Sequence, residues 1–205
     1  GSQRAWIQVE LVRLWKVRGP FPGLGAVLSA FGLSRGILVA HALQQKAGEN
    51  VDPWPFVDDA FASPATVLPK DLHPDLKELA PTWKGLTAER KALLRLVSRF
   101  ELAKGQADVL YDEGSPRKHG WTSTDREILQ NPDRIYEISR HEPDSVNILA
   151  VDSGVFPVDT VRLQHPLPVT SGLDSAVDLR RVRAFTISVL EDASLVGHTL
   201  WPVDK

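Results

Sequence analysis

Proline and glycine limit what this chain can fold into more than any other feature of its sequence. The 205 residues include 15 prolines and 14 glycines, which interrupt the chain at short intervals. Proline cannot donate a backbone hydrogen bond, and glycine readily ends a helix, so regular elements must be short. Apolar residues between the interruptions recur at helical spacing. The sequence therefore predicts a mainly α fold: a bundle of short helices, including helix-hairpin-helix units, with little or no sheet.

The two clearest helices are predicted in the second half of the chain. Beginning at Thr87, an apolar stripe passes through Leu93, Val97 and Phe100 at spacings of four and three, as in an amphipathic helix. The other helix is predicted over 178–194. Its expected core face consists of Val182, Phe185, Val189 and Ala193.

Shorter elements are predicted around these two helices. The segment Arg4–Val17 fits both a helix and a strand. Ser34 is a candidate N-cap, and the run Thr122-Ser123-Thr124-Asp125 offers N-caps for a short helix over Ile128 and Leu129, because such side chains can accept a backbone hydrogen bond. Short helices are expected over 134–138 and 146–151.

The domain organisation follows from the proline-rich stretches. Residues 1–2, Gly-Ser, resemble the remnant of a protease cleavage site, so the chain is expected to be a piece of a longer protein. Residues 3–47 are predicted to form an N-terminal helical hairpin segment, and 83–205 a larger helical domain. Between them, 48–82 hold six prolines and many acids and are expected to be a linker or strap. A second linker is expected over 157–175.

Composition excludes several classes of function. Cysteine is absent, which rules out disulfides, thiolate nucleophiles and cysteine-ligated metals, and a reducing cytoplasm is the expected location. No apolar run approaches the roughly 18 residues of a membrane span, so no membrane contact is expected. No phosphate-binding loop of an ATPase occurs, and the six histidines lack metal-ligand spacing. A magnesium nuclease built on Asp58 and Asp59 is the least favoured reading, and no cofactor, metal or catalytic group is expected in this piece.

The net charge of −2 conceals blocks of alternating sign. Residues 1–36 carry +4, 37–82 carry −4, 83–119 carry +3 and 120–160 carry −5. If the two basic blocks meet in space, they form a positive face toward a polyanion. Solvated helix faces show the same pattern, so both interpretations stay open.

The tract from Phe21 to Ser29 contains Pro-Gly-Leu-Gly followed by a small residue. It resembles the hairpin of helix-hairpin-helix DNA-binding motifs. In such a turn, glycines leave backbone N–H groups at a helix start free to bind a phosphate. Such contacts position DNA without reading its sequence. The alternative is a plain turn before a helix.

Four further landmarks occur in order along the second half: a helical pair near Phe100–Tyr111, the segment Ile128–Tyr136, Arg181-Val182-Arg183-Ala184, and Gly197-His198-Thr199-Leu200-Trp201-Pro202. Together they resemble the N-terminal region of RecD-like superfamily 1 DNA helicases. The match covers roughly residues 90–202. The chain departs from the family pattern at 101–103 and at 140–145, where neither hairpin has a glycine.

The resemblance implies a non-catalytic DNA-binding accessory domain of a larger ATP-dependent DNA helicase or translocase, in DNA repair or defence. Its expected partners are the DNA phosphate backbone and the remainder of its own polypeptide, the helicase core. The predicted DNA contacts are Gly23, Leu24, Gly25, Arg35, Lys91, Arg95, Arg99, Arg180, Arg181 and Arg183. The alternative is a helical protein–protein interaction scaffold that couples a motor to partners, with 48–82 as its docking strap.

Overall fold

The computed structural model describes residues 13, 18–49, 51–111, 123–195 and 197. These residues form eleven α-helices and two short 3₁₀ helices without a strand, which confirms the mainly α fold. The N-terminal half, 18–111, contains α1 Leu24–Ala30, α2 Gly36–Ala47, α3 Trp54–Ala62, α4 His73–Gly85, α5 Ala88–Val97 and α6 Lys104–Tyr111, with 3₁₀ helices Pro64–Thr66 and Lys70–Leu72 before α4. The C-terminal half, 123–197, contains α7 Asp125–Gln130, α8 Arg134–Ser139, α9 Ile148–Val155, α10 Asp159–Gln164 and α11 Leu179–Leu195.

The prediction of a linker over 48–82 is wrong. This stretch forms α3, both 3₁₀ helices and most of α4, and the expected boundary at residue 83 falls inside α4. Pro55 and Pro74 lie in the first turn of their helices, where a missing N–H costs nothing. Val57 and Leu76 are fully buried, so the stretch contributes to the core. The predicted linker over 157–175 likewise contains α10.

An aromatic cluster forms the centre of the N-terminal half. The ring of Trp83 stacks on Phe61 at 4.3 Å and meets Phe31 edge-on at 5.1 Å. Trp54 also stacks with Trp83, with their ring centroids 6.2 Å apart. Because α1, α3 and α4 each supply a ring, the cluster ties these helices together.

The C-terminal half begins with a predicted feature that the structure confirms. Thr124 caps α7 in a reciprocal capping box with Glu127. The structure also confirms the helix predicted over 178–194, as α11, but only part of its expected core face is buried: Ala193 is buried and Phe185 packs partly buried against the core. Val182 and Val189 are 41% and 40% exposed, whereas Ala184 on the other side is fully buried.

Other local predictions differ in outcome. Ser34 does not cap α2, because its hydroxyl donates to the Asp75 carboxylate instead. The segment Arg4–Val17 lies outside the described residues except for Arg13, and the end of the last landmark, His198 onward, also lies outside them. Among the described helices, none is long and apolar enough to cross a membrane.

Candidate functional site

The Gly23-Leu24-Gly25 turn is packed against the end of α5. The Gly23 N–H donates to the Ser98 carbonyl at 2.9 Å, and a Cβ at Gly23 would lie 2.3 Å from the Phe100 carbonyl oxygen. Leu24 is fully buried. The amide that the sequence offers to a phosphate is therefore already bonded within the protein, and the predicted contact at Gly23 and Leu24 is corrected.

The remaining small residues of this tract allow α1 and α2 to approach closely. A Cβ at Gly25 would lie 3.1 Å from the Cα of Ile37, and one at Gly36 would lie 2.5 Å from the Ser29 nitrogen. The Ser29 hydroxyl donates to the Gly25 carbonyl at 2.8 Å. The Gly-x-x-x-Ser spacing thus has a packing role in this protein.

Four of the predicted basic contacts hold the fold together instead of facing a common surface. Arg35 binds the Asp75 carboxylate with two nitrogens, and this hydrogen bonding lowers the pKa of Asp75. The other three lie on α11 and pair with separate carboxylates: Arg180 with Asp178, Arg181 with Asp152, and Arg183 with Glu137. Of these four, only Arg35 belongs to one of the two basic blocks, and its pairing with Asp75 leaves it no part in a shared positive face.

The structure does bring Lys91, Arg95 and Arg99 together. They line one cleft of about 540 Å³ at the junction of the two halves. Lys91 and Arg95 lie four residues apart on α5, and Arg99 follows four residues later, so they form one row. The volume lies in the range typical of ligand sites, which occur preferentially between structural units.

Arg99 is the least exposed of the three, with 4% of its surface accessible. Its Nε donates to the Gly154 carbonyl at 2.9 Å and its Nη2 to the His165 carbonyl at 2.8 Å. Burial lowers the pKa of Arg99 to about 10. No described carboxylate forms an ion pair with this guanidinium: its two hydrogen bonds go to neutral carbonyls, and Asp52 acts on it from beyond ion-pair distance.

Lys91 and Arg95 each pair with a carboxylate, and one member of each pair is open to solvent. Lys91 Nζ lies 3.1 Å from Oδ1 of Asp58, and Arg95 pairs with Asp52. The side chains of Asp58 and Arg95 are 59% and 54% exposed. Exposed pairs of this kind are worth 0–1 kcal/mol, so an anion entering the cleft can compete for both cations.

Asp58 also accepts a hydrogen bond from Trp83 Nε1 at 2.9 Å. The Asp58-Asp59 pair therefore has a structural partner, and among the described residues no group of acids and histidines is arranged to bind a metal ion.

The cleft also has an apolar wall, which the sequence did not predict. That wall comes from remote segments and is mostly apolar, with Leu129, Pro166, Leu167 and Pro168. The Ser171 hydroxyl donates to the Leu129 carbonyl at 2.6 Å and ties the two segments together. No spacing in the sequence relates residue 95 to residue 167, so only the tertiary structure reveals this wall.

The sequence landmarks of the C-terminal half pack on one another. Tyr136 on α8 donates to Glu191 on α11 at 2.8 Å. The two glycine-free hairpins also meet, since Gln106 Nε2 donates to the Ser145 carbonyl at 2.6 Å. The Asp144 carboxylate lies against Gly105 at this point, so the meeting hairpins present an acid where a phosphate contact would need a donor.

Comparisons with protein-family models, curated proteins and solved structures find no match for this chain.

Proposed function

We propose that the chain is a non-catalytic DNA-binding accessory domain of a larger ATP-dependent DNA helicase, and that it contacts phosphates through the Lys91–Arg95–Arg99 row. The observation that carries the proposal is the cleft, because it gathers three of the predicted cations, one of which, Arg99, is a buried guanidinium without an ion-pair partner among the described residues. The ordered landmarks supply the link to a helicase. The Gly23 turn has no part in the contact.

Binding of labelled oligonucleotides at two salt concentrations tests this function. Phosphate contacts release counterions, so affinity should fall steeply as salt rises. Replacing Lys91 and Arg95 by Ala together should lower the slope of log affinity against log salt by about two. The matched control replaces Lys77 and Lys84 by Ala, which removes the same charge from exposed positions on α4 outside the cleft. Absent binding, or equal loss in both double variants, would contradict the proposal.

The exposed apolar face of α11 favours a second function, a scaffold that docks on the remainder of the polypeptide. Val182, Val189 and Leu190 are each at least 40% exposed and lie within about two turns. The segment 48–82 cannot be the docking strap, because it packs in the core. Replacing Val189 by Asp should abolish binding to the separately expressed helicase core without changing DNA affinity. Unchanged core binding would exclude this face.

A further inference from the structure

The cleft has two chemically different walls. The cation row lies along α5 and its C-terminal end, whereas Leu129, Leu167 and Pro168 come from other segments and form an apolar wall of the same cleft. Inorganic phosphate would use the first wall and leave the second in contact with water. The occupant that fits both walls has an anionic group joined to an apolar, planar or compact part.

The cation wall is set up for a phosphate. Burying a guanidinium without an ion-pair partner is costly. Arg95 and Arg18 repel Arg99 and add to the effect of burial on its pKa, whereas Asp52 opposes them. An anion in the cleft would relieve this repulsion. Lys91 and Arg95 can join Arg99 on the same anion by releasing Asp58 and Asp52.

The apolar wall distinguishes single strands from duplexes. In a duplex the bases are stacked inside, so the surface that reaches a protein cleft is sugar and phosphate. A single strand can turn one base out of its backbone path and place the face of that base on apolar side chains. Given the proposed DNA-binding function, on which this inference rests, we infer that the cleft binds one nucleotide unit of single-stranded DNA. Its phosphate lies on Lys91, Arg95 and Arg99, and its base lies against Leu129 and Leu167.

Substitution of Asp58 tests the cleft through an expected gain in DNA affinity. Its carboxylate pairs with Lys91 and faces the same space as the incoming phosphate. Asp58→Asn keeps an oxygen for the Trp83 hydrogen bond and removes the repulsion. This substitution should tighten binding severalfold, whereas Lys91→Ala should weaken it. Opposite effects from two partners of one ion pair would not arise from a purely structural role.

The experiment compares three ligands: a single strand, a duplex of the same sequence, and a single strand with abasic sites, which keeps the phosphates and lacks bases. Wild type should bind the intact single strand most tightly. Leu167→Ala removes apolar surface that the base would cover, so it should weaken that binding about tenfold and leave the duplex and the abasic strand unchanged. Leu163→Ala, at an 83% exposed position outside the cleft, is the control. Pro168→Ala repeats the test if Leu167→Ala fails to fold.

The possible outcomes distinguish failure of the base contact from failure of DNA binding itself. If the chain binds all three ligands equally, or if Leu167→Ala and Pro168→Ala weaken the abasic strand as much as the intact one, the base contact is wrong while DNA binding stands. If none of the three ligands binds, the proposed function itself fails. A duplex bound more tightly than the single strand also overturns the single-strand preference.

Discussion

The N-terminal half has packed aromatic rings at its centre, whereas the C-terminal half buries a carboxyl group that has no hydrogen-bond partner. Around Trp83, the rings of Phe31, Trp54 and Phe61 pack together, and the two charged neighbours of Trp83, Asp58 and Lys91, pair with each other. In the C-terminal half, Asp133 is fully buried, and neither of its carboxylate oxygens has a hydrogen-bond partner. The first half therefore depends on shape and volume, and the second depends on protonation. The candidate ligand cleft lies where the two meet.

Trp83→Ala should give the largest effect and tests the role of volume in the N-terminal half. It removes a buried ring that contacts three others, which should lower the free energy of unfolding by about 4 kcal/mol. Chemical denaturation measures the loss. Trp83→Phe keeps a ring and loses the bond to Asp58, so about 1 kcal/mol is expected. Equal losses in both variants would show that the hydrogen bond, and not ring packing, stabilises this half.

Gly23→Ala tests whether the glycine turn belongs to the packed half or to a phosphate site. The added methyl would meet the Phe100 carbonyl at 2.3 Å, and backbone cannot move aside as a flexible side chain can. A loss of about 3 kcal/mol is expected in urea unfolding. The control is Gly85→Ala, where a Cβ has open space around it. A stable Gly23→Ala variant that has lost DNA binding would restore the turn as the phosphate contact.

Asp133 tests the charge dependence of the C-terminal half. Burial, reinforced by the nearby Asp152, raises the pKa of Asp133 from 3.8 to about 6. The folded state then binds a proton that the unfolded state releases, so this group stabilises the protein below about pH 4 and loses that contribution as pH rises through 6. Between those values the loss should be about 2 kcal/mol.

The comparison with Asp133→Asn isolates this group from the other carboxylates. Arg180 lowers the pKa of Asp178, and that group contributes in the opposite sense, with stability lost as pH falls. The difference in unfolding free energy between wild type and Asp133→Asn, measured from pH 4 to pH 7, cancels such background. A difference that stays constant over this range would mean that Asp133 does not change its protonation there.

Local chemistry explains what could be predicted from the sequence. An N-cap among residues 122–125 and the stripe of Leu93, Val97 and Phe100 involve residues within one or two turns. Thr124 is the cap, and all three stripe residues are buried, although Phe100 lies three residues beyond the end of α5. Proline was misread over 48–82 because Pro55 and Pro74 begin helices there. Val182 and Val189 on α11 were predicted to be buried because an apolar pattern identifies a helix face and does not show whether another element packs against it.

The same distinction applies to the candidate site. The spacing of Lys91, Arg95 and Arg99 is visible in the sequence, but charge alone does not separate them from Arg180, Arg181 and Arg183, which do not line the cleft. Whether a cation lines the cleft depends on residues roughly 30 to 80 positions away. The glycines of the tract over residues 21–29 fit two different structures, because a close backbone contact and a phosphate-binding turn both require glycine.

The smallest effect on stability is expected for an exposed ion pair at the junction of the two halves. Arg126 on α7 pairs with Glu89 on α5, with side chains 70% and 48% exposed. Water and salt screen such a pair, so Arg126→Ala should change the unfolding free energy by less than about 0.5 kcal/mol, measured in urea at low and high salt. By contrast, Arg99 crosses the same junction through two short bonds to carbonyls, mostly shielded from solvent. A loss above about 1 kcal/mol that disappears at high salt would show that surface ion pairs, and not the buried contacts, join the two halves.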